Sequence, residues 1–218
     1  MSKVAGIGPE VAVATGEIVL RSSSSQTLVA DAPENGLIEQ CRQGDAQAFT
    51  RLVATHERMV FNLAARLLND AEEAKDLSQE VFLQVYKTIN RFEGRSSLKT
   101  WIYRIVVNQC HNRQRWWRRR KKDQARPIED LTAGEEAQLS ASRSESGPFE
   151  DLARREQARR LQAALLAISF DQRSVLVLRE VEGLSCEEIA VALAMPIGTV
   201  KSRLARGREA LRQELVRR

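Results

Sequence analysis

The chain predicts an all-α protein of two small helical domains joined by a flexible acidic linker. Apolar residues recur at helical rather than alternating spacing, helix-capping residues stand where the apolar stripes begin and end, and one acidic, Ser- and Gly-containing stretch interrupts the pattern. At 218 residues, 43% apolar and 29% charged, the length allows two small cores.

Residues 1–36 are rich in Gly, Ser, Ala and Val, hold Ser22 to Ser25 in a row and show no sustained period, so they read as a loose extension. From Leu37 the texture changes. Leu37, Ile38, Phe49, Leu52, Val53, Val60, Phe61, Leu63, Leu67 and Leu68 supply two helices that turn near Gly44–Asp45. Asp70 with Glu73 three residues later is a capping signal for a helix reaching about Asn90, and Gly94 closes that segment. Ser96–Ser97 opens the next helix, which runs through a basic block to about Lys122. The first domain is therefore placed at 37–122. The linker, 123–150, carries seven acids against two arginines. A second domain, 151–218, reads as helices over Asp151–Leu166, Asp171–Glu182, Ser185–Leu193 and Pro196–Arg217.

Within that second domain, Leu184 to Leu211 has the form of a helix-turn-helix. Ser185 and Glu188 are spaced as a capping box, and Ala194-Met195-Pro196 forces a turn because proline tolerates only the first turn of a following helix. Beyond it, Ile197, Val200, Leu204, Gly207 and Leu211 form one stripe. Thr199, Ser202, Arg206 and Glu209 then point outward, with Lys201, Arg203 and Arg208 on the flanks. Such a helix suits the DNA major groove: Lys201, Arg203 and Arg208 fit phosphates, while Ser202 and Arg206 fit base edges.

In the first domain, Leu98, Trp101, Ile102, Ile105 and Val106 make a stripe for the core. Thr100, Arg104, Asn108, His111 and Arg115 recur opposite it, each able to hydrogen-bond a base or a phosphate. Phe92, Tyr103, Trp116 and Trp117 read as flat surfaces beside seven basic side chains between Arg113 and Lys122, an arrangement that holds unpaired strands. Asn108 and Asn112 fit base edges. On the preceding helix, Glu72, Glu73, Asp76, Gln79 and Glu80 gather opposite the apolar side. From the residues alone that face is a solvated surface complementing the helix dipole, available to a basic partner.

Cys41, Cys110 and Cys186 lie far apart outside any CxxC spacing, which argues against a disulfide framework or a zinc site and for reduced thiols in a cytoplasmic protein. No apolar run approaches the roughly 20 residues of a membrane span, and Glu10 and Glu17 interrupt any secretory apolar region. A nuclease lacks support, since no carboxylate cluster, phosphate-cradling Gly loop or activated nucleophile is present in the sequence. No cofactor, metal or small-molecule substrate is expected. A stand-alone helix-turn-helix regulator accounts for the second domain but leaves the acidic helix and the polar stripe of the first without a task.

Two ordered blocks resemble the extracytoplasmic-function sigma factors of bacteria, of the sigma-E type. Asp76-Leu77-Ser78-Gln79-Glu80-Val81-Phe82, Arg91-Phe92-Glu93-Gly94 and the run from Thr100 to Asn108 look like sigma region 2. Leu184 to Ala190 and Gly198 to Leu204 look like region 4. The resemblance covers about 37–218 and implies a protein that is not an enzyme and that directs core RNA polymerase to promoters. It places Asp76, Gln79 and Glu80 on the polymerase clamp helices. It places Phe92, Arg104, Asn108, His111, Asn112 and Arg115 at the -10 element, with Asn108 at a captured flipped base and Phe92 on the neighbouring specificity loop. Thr199, Lys201, Ser202, Arg203 and Arg206 fall at the -35 element. The resemblance further implies an anti-sigma factor as partner and a short melting segment that makes promoter opening stringent.

Overall fold

Asp45 begins the first long helix by accepting from the backbone amides of Gln47 and Ala48, at 2.8 and 3.2 Å, which satisfies donors that a helix start otherwise leaves orphaned. The computed structural model describes residues 32–123 and 148–217. Most of the expected extension and linker lies outside those residues. Helix α1 (Ala32–Arg42) starts five residues before Leu37, so the helical part reaches further back than the loss of periodicity suggested. Helices α2 (Ala46–Leu68), α3 (Ala71–Thr88) and α4 (Leu98–Asp123) pack against one another, with α1 against α2. Their shared core includes Leu52, Val60, Leu63, Leu67, Leu77, Val81, Val85, Leu98, Ile102 and Val106, all fully buried. Each such side chain contributes about 1.5–3 kcal/mol.

Local chemistry fixes the helix ends. Asn69 takes the left-handed conformation at φ 58° that ends α2. Asp70 accepts from Glu73 N at 3.0 Å, but no reciprocal Glu73 cap forms, because that carboxylate is held by Arg113 at 2.5 Å. After α3 a short 3-10 turn, Ile89–Arg91, leads through Gly94 at φ 70° into α4.

The second bundle comprises α5 (Pro148–Ala167), α6 (Phe170–Leu176), α7 (Cys186–Ala192) and α8 (Ile197–Arg217). Ser185 and Glu188 form the full capping box at the start of α7. Helix α8 packs on α5, α6 and α7 through Val200, Leu204 and Gly207. Ile197, expected on that stripe, is exposed because the chain turning in from Pro196 leaves it at the rim. Gly207 lets α8 approach closely, since a Cβ there would lie 3.1 Å from Leu176 Cδ1. Helix α6 continues beyond Leu176 as a π-helical turn, Val177–Val181, closed by Glu182 N donating to Val177 O at 3.1 Å.

The two bundles do not stand apart. Helix α7 packs against α4, and α6 with its π turn against α2, so one continuous apolar core runs through both.

Candidate nucleic-acid interface

Helix α4 presents its polar line because its opposite side is committed to the core through Leu98, Ile102, Val106 and Cys110. Arg104, Asn108, Asn112 and Arg115 are exposed along one side of the helix. Two neighbours expected on that line are elsewhere. Thr100 is buried, its hydroxyl 2.8 Å from that of Ser97, because the capping serine folds over the first turn. His111 is half-buried and stacks on Phe170 of α6 with ring centroids 5.2 Å apart and planes 18° apart.

The aromatics divide differently from the sequence reading. Phe92 is 5% exposed and packs against Trp101 with centroids 5.3 Å apart. Its carbonyl accepts from Arg42 of α1. The ring is a wedge that seats the loop between α3 and α4, and it offers no free face for a base. Tyr103 is also buried, and Trp117 packs partly against the core. Trp116, 43% exposed, keeps an open face, with the Arg120 guanidinium 4.3 Å from its ring centroid. A shallow polar groove beside it is lined by Gln109, Asn112, Arg113, Trp116 and Arg119.

On α3, Asp76, Gln79 and Glu80 are exposed, as the amphipathic pattern requires. The same ridge carries two further exposed apolar side chains, Leu83 at 59% and Tyr86 at 54% exposure. They stand four and seven residues after Gln79, a helical continuation visible in the sequence. Glu80 pairs with Arg113 at 2.7 Å. Arg113, read as part of the basic block, thus turns inward to two carboxylates.

On α8, Lys201, Ser202 and Arg206 are exposed and Thr199 is half-buried. Arg206 lies back on its own helix, donating to the carbonyl and hydroxyl of Ser202, each at 3.3 Å. Arg203 differs, since it pairs with Asp171 at 2.8 Å and reaches Met195 Sδ at 3.6 Å, which ties the turn and α6 to α8. Arg208 pairs with Glu180 at 2.6 Å.

Behind these surfaces lie buried ionisable groups. Burial pushes the Cys110 thiol up to about 12, which keeps it protonated. Burial lowers the Arg173 guanidinium to about 10, with nearby Arg118 adding to the effect. Arg173 is 1% exposed, and its Nε and Nη2 have no partner. Among the described residues no group of three His, Cys, Asp or Glu could hold a metal ion, and no helix is long and apolar enough to cross a membrane.

Comparison with known proteins accounts for both bundles. Residues 52–123 match the Sigma-70 region 2 family and residues 158–211 match Sigma-70, region 4. The RNA polymerase sigma-H factor of Pseudomonas aeruginosa is 36% identical over 183 residues, covering 82% of this chain and 92% of that protein. The ECF RNA polymerase sigma factor SigW of Bacillus subtilis is 34% identical, covering 82% and 94%. Among solved structures, the sigma factor RpoE in complex with the anti-sigma factor NepR from Bartonella quintana aligns with a TM-score of 0.60 at 27% identity, covering 79% of this chain and 98% of that one. Two ordered family matches, joined by relatives that span nearly their whole length, leave one assignment: the chain belongs to the extracytoplasmic-function sigma factors, which direct RNA polymerase in transcription initiation and are not enzymes.

Proposed function

We propose that this sigma factor divides its work among three surfaces: the α3 ridge docks core polymerase, the α4 line takes the -10 element, and α8 reads the -35 element. The observation that carries this division is the pair of exposed polar lines on separate helices, Arg104–Asn108–Asn112–Arg115 on α4 and Lys201–Ser202–Arg206 on α8. Each combines cations for phosphate with an amide or guanidinium for a base edge, so each supplies both affinity and discrimination. Asp76, Gln79 and Glu80 give the ridge an acidic start, and Leu83 and Tyr86 extend it with apolar area, a combination that fits a basic, amphipathic helical partner.

Asn108 is the residue placed at a captured base. Flipping a base costs a few kcal/mol, and an exposed amide beside Arg104 and Arg115 offers hydrogen bonds and phosphate attraction to offset it. Phe92 serves this site by seating the loop, and His111 becomes available only when Phe170 leaves its ring. On α8, Arg206 and Ser202 meet bases, Lys201 meets phosphate, Thr199 lies at the entry of the helix, and Arg203 positions the helix through Asp171.

An anti-sigma factor is the proposed regulator, supported by the likeness to a sigma factor solved with one, and the site of action is the cytoplasm. Run-off transcription with purified core polymerase on a random promoter library tests the division. Changes on α4 are expected to alter selection near -10 and changes on α8 selection near -35. A change on one helix that shifts selection at the other element would overturn it.

A further inference from the structure

We infer that Glu182 is an intramolecular latch, holding the two DNA-reading bundles in a closed form that cannot occupy both promoter elements. Glu182 belongs to the second bundle and stands just after the π turn. Its carboxylate accepts from the Tyr103 hydroxyl of α4 at 2.7 Å and pairs with Arg66 of α2 at 3.4 Å. Gln162 of α5 donates to the Arg66 carbonyl at 3.0 Å, and Phe170 stacks on His111. Three side chains from the second bundle, Glu182, Gln162 and Phe170, thus engage the first at one seam. The π turn contributes, because its wider register sets where Glu182 emerges.

The consequence for function rests on the division of surfaces proposed above. Two elements centred near -10 and -35 lie about 25 base pairs apart, and at about 3.4 Å per pair that is on the order of 85 Å of duplex. In the closed form α7 packs against α4, and α8 packs against α7. Two helix spacings of about 8–10 Å each separate the reading helices, far short of that span. Engaging the promoter therefore requires the seam to part. Closure has an internal cost that keeps it reversible: Arg173 lies beside Cys110 and Arg118 of α4 with two guanidinium nitrogens unpartnered. A closed population also weakens apparent affinity for any partner that needs the open form.

Small-angle scattering of the full chain, without polymerase or DNA, tests closure through Tyr103→Phe, which deletes one hydroxyl, and Glu182→Gln, which neutralises the acceptor. Wild type is expected to scatter as joined bundles. Each variant should weaken closing by about 10-fold or more, as for a hydrogen bond to a charged group, and shift the pair distances outward. The double variant should do little more than either single. The variants should also bind core polymerase more tightly by the factor that closing taxes wild type. If a variant loses its helical circular dichroism, Arg66→Gln removes the other partner of Glu182 instead. Bundles already separated in wild type, variants that scatter identically to it, or open variants that gain no polymerase affinity would each overturn the latch. Failure of the promoter assignments alone would leave the scattering result standing.

Discussion

Arg113 on α4 holds the Glu80 carboxylate of α3 at 2.7 Å while its other terminal nitrogen holds Glu73 at 2.5 Å. One guanidinium thus pins α3 to α4. The fork geometry suits arginine, and a lysine could not reach both acids in the same way. Because the pair with Glu80 is half-exposed, its worth is modest. Arg113→Ala is expected to lower stability by about 1 kcal/mol. Urea melts of the Arg113→Ala and Glu80→Ala single and double variants would measure it. Additive losses would mean that no coupling crosses the two helices.

Asn108 has no structural task that its loss would disturb, being exposed on α4. Asn108→Ala is therefore expected to keep polymerase affinity and thermal stability while reducing open-complex formation, read by permanganate footprinting at a supercoiled promoter. Equal losses of opening and of polymerase binding would remove Asn108 from the base-capture role.

Arg206 and Arg203 are two arginines three residues apart with different tasks. Arg206 is bonded only within its own helix, so Arg206→Ala should leave the melting temperature unchanged and relax preference at one upstream base pair by about 10- to 100-fold. Arg203 ties α8 to Asp171, so Arg203→Ala should lower the melting temperature as well as binding. Selection from a randomised -35 element, paired with calorimetry, separates them. An unchanged base preference in Arg206→Ala would place that side chain on phosphate or in solvent.

His56 makes the fold sensitive to acid. Burial, with Lys99 adding repulsion, lowers its pKa below the ordinary 6.5. The unfolded chain then binds the proton more readily than the folded one. Stability from the neutral ring is complete above pH 6.5 and is lost as pH falls from there towards the lowered value. Melting temperature should drop between about pH 7 and about pH 5, and it should drop less in His56→Gln. Parallel slopes in the two proteins would show that other groups carry the effect.

What the sequence disclosed was what neighbouring residues decide. The capping box at Ser185–Glu188, the Pro196 turn and the outward Lys201–Ser202–Arg206 line all follow from spacings within one or two helical turns. What it hid depends on distant packing. The Arg113 charge looked like part of a uniform basic block because its partners lie 33 and 40 residues earlier. Glu182 meets Tyr103 across 79 positions, so no local pattern announces the seam. Arg203 has the helical angle of a flank residue, and only the fold brings Asp171, 32 positions earlier, beside it. Thr100 has the right helical angle for the outward line, but the Ser97 hydroxyl covers it.

Phe92 shows how an aromatic beside positive charge misleads. Neighbouring arginines suggested a stacking platform, yet the ring packs on Trp101 and the backbone carbonyl is held by Arg42. Under the proposed division of surfaces, its effect on the -10 element passes through the loop it anchors. Phe92→Ala should destabilise the first bundle by about 3–5 kcal/mol, the usual range for emptying a buried aromatic site. Phe92→Leu retains most of the apolar volume and should keep both stability and -10 selection near wild type, whereas direct stacking on a base would need the ring itself. Thermal melts and promoter selection on the leucine variant distinguish the two. A stable Phe92→Leu protein that has lost -10 preference would return the aromatic face to the DNA and overturn its assignment as a wedge.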